Sequence, residues 1–86
     1  MTYVLTYTER SVKDIRDLRP DIRRRIGKTL LRFKDDPLRY AEKLTSPTLG
    51  TYRFRVGEYR VVFDIEGNEI VILRVGHRKD IYRWRR

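Results

Sequence analysis

The residues with chemistry to offer crowd into the last third of the chain. Between Thr51 and Tyr82 lie Arg53, Arg55, Arg60 and Arg78, the single histidine of the sequence (His77), and Tyr82 itself. Cysteine is absent, which excludes disulfides and thiolate metal sites, and one histidine is too few for a conventional metal centre. No metal or cofactor is therefore expected. P-loop, GxGxxG, HExxH and Ser/His/Asp patterns are all missing. Asp64, Glu66 and Glu69 gather in or beside one turn, which disfavours a paired-carboxylate hydrolase. The remaining set suits cleavage of RNA by its own 2′-hydroxyl, a reaction that needs neither a metal nor a protein nucleophile. It needs cations around a phosphorane-like transition state, a proton acceptor for the 2′-OH and a donor for the departing 5′-oxygen. Arginines supply the cations but hardly ever deprotonate, so the proton-transfer candidates are His77, matched to neutral pH, and Tyr82.

Those residues depend on a β-meander. Three alternating runs, Thr51–Val56, Tyr59–Ile65 and Glu69–Val75, are separated by Gly57-Glu58 and Gly67-Asn68, two-residue loops of the kind that joins hairpins. A tight turn at Gly57-Glu58 sets Val56 opposite Tyr59, Arg55 opposite Arg60 and Arg53 opposite Val62. Opposed residues share a face, so Arg53, Arg55 and Arg60 converge on one side. Tyr52, Phe54, Val56, Tyr59, Val61 and Phe63 take the other. Counting on through Gly67-Asn68 puts Leu73, Val75 and His77 on the arginine side, with Arg78 and Tyr82 just beyond. Like charges opposed across a strand pair are destabilising, so this face is either solvated or built to hold an anion. It also carries Val62, Val71, Leu73 and Val75, which calls for a cover formed partly by the C-terminal tail and partly by a partner.

The remaining segments supply the support. Thr2–Tyr7 is a first strand, rich in β-branched and aromatic residues. Thr8 is placed to cap a helix with Glu9 in its first turn, running to about Leu18 with Val12, Ile15 and Leu18 as its apolar stripe. Arg19-Pro20 breaks it, and Pro20 opens a second helix on which Ile22, Ile26, Leu30 and Phe33 recur at helical spacing. Asp35-Asp36-Pro37 stops that helix. A connection from Pro37 to Gly50 includes a possible helical turn near Leu38–Lys43, and Lys79–Arg86 forms a short helix or an extended arm. The expected fold class is α+β: one domain over residues 1–86, ordered β-α-α-β-β-β. An antiparallel sheet carries a helical hairpin on one face and a basic active surface on the other.

With 86 residues and a formal net charge of +9, the chain is large enough for a modest core and points to a polyanionic partner. An acidic protein would satisfy the same charge. No run approaches a membrane span and the start shows no signal-peptide pattern, so a cytoplasmic protein without membrane association is expected. Asn68 is the only Asn and Gln is absent, a composition that leans towards a thermophilic source.

Each candidate has a structural alternative. Arg53 and Arg55 also fit the polar side of an edge strand, and His77 fits a structural histidine. Tyr82 and Trp84 fit core plugs beneath the tail as well as platforms for an unpaired base. Arg23, Arg24, Arg25, Lys28 and Arg32 fit the solvated side of the second helix, or a sequence-independent grip on RNA backbone through Arg23, Arg24, Lys28 and Arg32.

The strand YRFR, the turn and strand GEYRVVFDI, the connection DPLRYAEKL and the ending VILRVGHRKDIY together resemble the RelE/ParE superfamily of toxins from bacterial and archaeal toxin–antitoxin pairs. The likeness covers nearly the whole chain, and GxYR with HRxxxY is specific only in combination. On the RelE side it implies a ribosome-dependent endoribonuclease that cuts messenger RNA in the A site and is silenced by a small RelB-like antitoxin. The implied partners are thus that antitoxin, the ribosome and mRNA, with no homo-oligomer required. The family's basic positions fall on Arg53, Arg55, Arg60 and Arg78, and its C-terminal tyrosine on Tyr82. The best-studied RelE branch carries lysines on the second strand, one implicated in proton transfer; both positions are arginine here. Since some relatives use a histidine near the last strand, the resemblance assigns the general base to His77, with Tyr82 behind it. The antitoxin is expected to pack on Leu73 and Val75 while laying a helix or strand over Arg53, Arg55 and Arg60. ParE-like members inhibit DNA gyrase by contact, which is a second reading. A non-enzymatic basic RNA-binding module is a third.

Overall fold

Thr8 caps the first helix: its hydroxyl accepts the Ser11 N–H at 3.1 Å, and α1 runs Glu9–Arg16, two residues short of the expected end. Pro20 occupies the first turn of α2 (Pro20–Phe33), where its missing N–H costs nothing. This computed structural model describes residues 2–45, 49–81 and 83. The other elements are β1 (Val4–Tyr7), α3 (Pro37–Tyr40), β2 (Glu42–Lys43), β3 (Tyr52–Val56), β4 (Tyr59–Glu66), β5 (Glu69–His77) and α4 (Arg78–Ile81).

The strands form one five-stranded sheet in the order β1-β5-β4-β3-β2. It is mixed, where a wholly antiparallel sheet was expected. β1 runs parallel to β5, with Leu5 beside Ile70 and Tyr7 beside Ile72. Parallel pairing needs a long crossover, and the helices and the meander between Thr8 and Asn68 provide one. The other pairs are antiparallel, and the β3–β4 register is the one the turn dictated: Arg53 faces Val62, Arg55 faces Arg60, Val56 faces Tyr59.

Ile26, Leu30 and Phe33 of α2 pack on Phe54, Val56, Val61, Phe63, Ile70, Ile72 and Val75. Phe54 and Phe63 are fully buried, with ring centroids 4.2 Å apart. Burying each such side chain contributes about 1.5–3 kcal/mol, so this one layer holds the helical hairpin to the sheet.

The β4–β5 ladder departs from the expected register. Glu66 to Phe63 pair with Glu69 to Ile72 as the turn requires; then Val62 pairs with Arg74, leaving Leu73 as an extra residue on β5. A bulge of one residue exchanges the faces of everything beyond it. Val75 consequently pairs with Val61 in the core and His77 pairs with Tyr59, so both lie on the helix side and not with the arginines. Burial drives the exchange. An unbroken ladder would point Arg74 into the core and Val75 at Arg60, whereas the bulge buries Val75 to 2% exposure. Beyond Ile72, where β1 ends, Asp14 of α1 takes over as the outer neighbour of β5. Its Oδ2 accepts the Arg74 Nε–H at 2.8 Å and the Val75 N–H at 3.0 Å.

The apolar part of the arginine face is covered by the connection into β3. Gly50 lies so close to Val62 and Leu73 that a Cβ there would sit 2.7 and 2.8 Å from their methyl carbons. The Thr51 N–H, donated to Asp64 Oδ1 at 2.7 Å, anchors this segment.

Candidate functional site

Arg55, Arg60 and Gly76 form one row across β3, β4 and β5, and Arg53 lies one step along on the same face. Gly76 in this row is buried beside Arg60. That arginine is 7% exposed, and its Nη1 donates to the carbonyls of Gly57 (3.0 Å) and Tyr59 (2.9 Å). A guanidinium charge in so dry a place acts on a neighbouring anion more strongly than one in water.

A carboxylate answers how the sheet tolerates like charges. Glu42 of β2 pairs with Arg53 and so shares its face. Its Oε1 accepts the Arg53 Nε–H at 2.9 Å, and its Oε2 meets Arg55 Nη1 at 3.5 Å. The Arg53 hydrogen bond, followed by the charges of Arg53 and Arg55, holds the Glu42 carboxyl below the usual carboxylate range. Reading the sequence missed Glu42 because a two-residue strand has no alternating pattern to announce it. The available signal was charge: a face of opposed arginines needs an acid, and Glu42 is the one the connection between Pro37 and Gly50 offers.

A second cluster gathers at the β3–β4 turn. Gly57 adopts φ +60°, and the Arg25 guanidinium lies flat against it, so that a Cβ would be 2.9–3.0 Å from three of its atoms. Arg78 is tied to Glu58 twice: its N–H donates to the Glu58 carbonyl at 2.8 Å, and its Nε–H to Glu58 Oε1 at 2.6 Å. That bond from Arg78 is the first cause holding the Glu58 carboxyl low, with the charges of His77 and Arg60 adding to it. Arg60 and Arg78 are thus both anchored on the β3–β4 turn, Arg60 by the carbonyls of Gly57 and Tyr59 and Arg78 by Glu58.

The remaining candidates fall elsewhere. His77 stands edge-on to the Tyr59 ring, centroids 5.4 Å apart, and its Nδ1 accepts the Lys79 N–H at 3.1 Å. It lines a cleft of about 450 Å³ with Asp14, Asp17, Tyr59, Arg74 and Asp80, on the side of the sheet away from Arg53 and Arg55. Val75 is buried and Leu73 half-buried under Gly50, so neither presents the open apolar surface expected to receive a partner. Arg23, Arg24, Lys28 and Arg32 are exposed on α2, across the sheet from the arginine row. Tyr82 and Trp84 lie outside the described residues. Among the described residues no three His, Cys, Asp or Glu side chains come together to hold a metal ion. No helix among them is long and apolar enough to cross a membrane.

Residues 5–82 match the family described as ParE toxin of type II toxin-antitoxin system, parDE. Toxin RelG of Mycobacterium tuberculosis is 36% identical over 96% of this chain and 99% of its own. In the crystal structure of the toxin–antitoxin complex RelBE2 from the same organism, one chain superposes with a TM-score of 0.81 at 29% identity, covering 90% of this chain and 99% of that one. A chain of the archaeal RelE–RelB complex from Pyrococcus horikoshii gives 0.72 at 27% identity, covering 91% and 97%.

Proposed function

The chain belongs to the RelE/ParE superfamily and is a toxin of a type II toxin–antitoxin system, and on that footing we propose that it is an endoribonuclease that cuts messenger RNA in the ribosomal A site. The observation that carries this reading is the row of guanidinium groups, Arg53, Arg55 and Arg60, on one face of the sheet with Arg78 at its end. The 2′-oxygen attacks the adjacent phosphorus, the bond to the 5′-oxygen breaks, and a 2′,3′-cyclic phosphate and a 5′-hydroxyl result. Charge builds on the non-bridging oxygens, where fixed cations in a dry site stabilise the transition state most. Arg60, buried and held by two carbonyls, is the strongest of these by position. The proton acceptor is better assigned to Glu42 than to His77. Glu42 is a carboxylate on the arginine face, with its basicity lowered by its bonds to Arg53 and Arg55, whereas the His77 Nδ1 lone pair is engaged and the ring faces the other way. Tyr82, which the family motif placed behind His77 as proton acceptor, is a candidate for proton transfer on the strength of that motif alone. The exposed α2 cations Arg23, Arg24, Lys28 and Arg32 suit sequence-independent contacts with ribosomal RNA. A RelB-like antitoxin is the expected partner, since the structural relatives are held in complexes with antitoxins.

The matching family is described as ParE toxin, and the resemblance to ParE-like members carries a second reading, inhibition of DNA gyrase. Cleavage of a defined message on programmed 70S ribosomes, with R60A in parallel and the 3′ ends mapped, separates the two. A-site cuts ending in a cyclic phosphate and lost in R60A are expected. Folded, antitoxin-free protein that leaves the message whole and blocks supercoiling by gyrase overturns the nuclease reading.

A further inference from the structure

Among the described residues, Glu58 is the carboxylate that meets the cations of the β3–β4 turn. Its side chain is 62% exposed and that of Arg78 is 51% exposed, so their contact lies in high dielectric and adds almost nothing to folding. Its geometry is nevertheless specific. Arg78 is the first residue of α4 and is held at both ends, main-chain N–H on the Glu58 carbonyl and Nε–H on the Glu58 carboxylate. The carbonyls on either side, Gly57 and Tyr59, hold Arg60. The turn is therefore a single frame on which two guanidinium groups are set relative to each other. The frame is stiffened by Gly57 in a positive-φ conformation with Arg25 packed on it. A long, exposed arginine without such an anchor samples many rotamers, and ordering it when substrate arrives is costly.

We propose that Glu58 is a positioning residue for RNA cleavage, fixing the Arg78 guanidinium beside Arg60 so that both meet the same phosphate. It touches no reacting atom and acts through Arg78. This deepens the nuclease reading and rests on it. A carboxylate near a phosphate also repels it, so Glu58 exerts two opposite influences, and they separate by substitution. E58A and E58Q remove the same charge. Only E58Q keeps an oxygen that accepts the Arg78 Nε–H.

The test is single-turnover cleavage on programmed ribosomes by wild type, E58A, E58Q, R78A and E58A/R78A, with binding to ribosomes measured separately. Arginine Nε–H resonances of the free protein report the contact without any activity. We expect E58A to lose the protected Arg78 Nε–H signal and to cut about 3- to 5-fold more slowly at saturating ribosomes, with binding and melting temperature nearly unchanged. E58Q should recover much of that rate, and E58A/R78A should be no slower than R78A alone. If E58A and E58Q behave alike, or E58A and R78A multiply as independent losses, or E58A cuts as fast as wild type, Glu58 does not position Arg78 for cleavage. Wild type that does not cut at all refutes the nuclease reading and this proposal with it; a cutting wild type with an unimpaired E58A refutes this proposal alone.

Discussion

Replacing Arg60 by alanine should separate what the residue does for the fold from what it does for the reaction. Its Nη1 donates to two carbonyls of the β3–β4 turn, and hydrogen bonds to a charged group contribute about 1.5–3 kcal/mol each when buried. Part of that returns in the variant, because Gly57 is exposed and water can reach its carbonyl. The like-charge opposition to Arg55 also disappears, worth about 0.2–1 kcal/mol. The net destabilisation should therefore be about 1–3 kcal/mol. A domain of ordinary stability, about 5–15 kcal/mol, then stays at least about 97% folded. Losing a preorganised cation from the transition state costs about 10²–10³ in rate, or about 3–4 kcal/mol of barrier. A few per cent of unfolded protein cannot account for such a loss. Single-turnover cleavage on programmed ribosomes beside a thermal melt of the same samples decides the matter. R60K, which keeps the charge but loses the fork, should fall between. If R60A cuts within about threefold of wild type, or its rate tracks the unfolded fraction as temperature rises, no phosphate is held by Arg60 during cleavage.

Three other outcomes follow from the same geometry. Gly57 and Gly67 both have positive φ, but only Gly57 has a neighbour in the way. G67A and G57A should each cost about 1 kcal/mol of stability, by chemical denaturation, because the Arg25 guanidinium over Gly57 is the end of an exposed side chain that can swing aside. Because the Glu42 carboxyl is held below its usual range by Arg53, any stability this exposed group adds is present above the unfolded carboxyl pKa and fades as pH falls through the lower folded one. If Glu42 is the proton acceptor, cleavage holds down to a pH below the ordinary carboxylate range and then falls. E42Q should abolish that acid limb and slow cutting about 10²–10⁴-fold, as a pH–rate profile on ribosomes would show. D14A leaves Arg74 and the Val75 N–H without their shared acceptor in a place only 12–17% exposed; it should cost about 2–3 kcal/mol and lower Tm by roughly 8–24 °C.

What the chain disclosed about itself depended on the range of the interaction. The Thr8 cap and Pro20 in the first turn of α2 are local effects, as is the two-residue turn at Gly57-Glu58, and each could be read from neighbouring residues. The turn fixed the register of β3 on β4, and with it the convergence of Arg53, Arg55 and Arg60. The bulge at Leu73 is a compromise between the β4 ladder and the core, and it moved Val75 and His77 to the other face. Its trace was there in the spacing: Ile70 and Ile72 are two apart, Val75 three further on. The parallel pairing of β1 has no local signature, and neither does the two-residue strand that brings Glu42 to the arginines.

That parallel pairing bears on when the molecule can act. Thr8 bonds to Ile72, 64 residues away, and among the described residues β1 has no strand neighbour but β5. Contacts so distant in sequence carry a large closure entropy and form late. During synthesis β1 must wait with both edges unpaired until β5 has left the ribosome, and Arg78 is made after β5. A growing chain thus holds its basic segments without the sheet that aligns them. On this account a ribosome making the toxin meets no finished toxin on its own nascent chain.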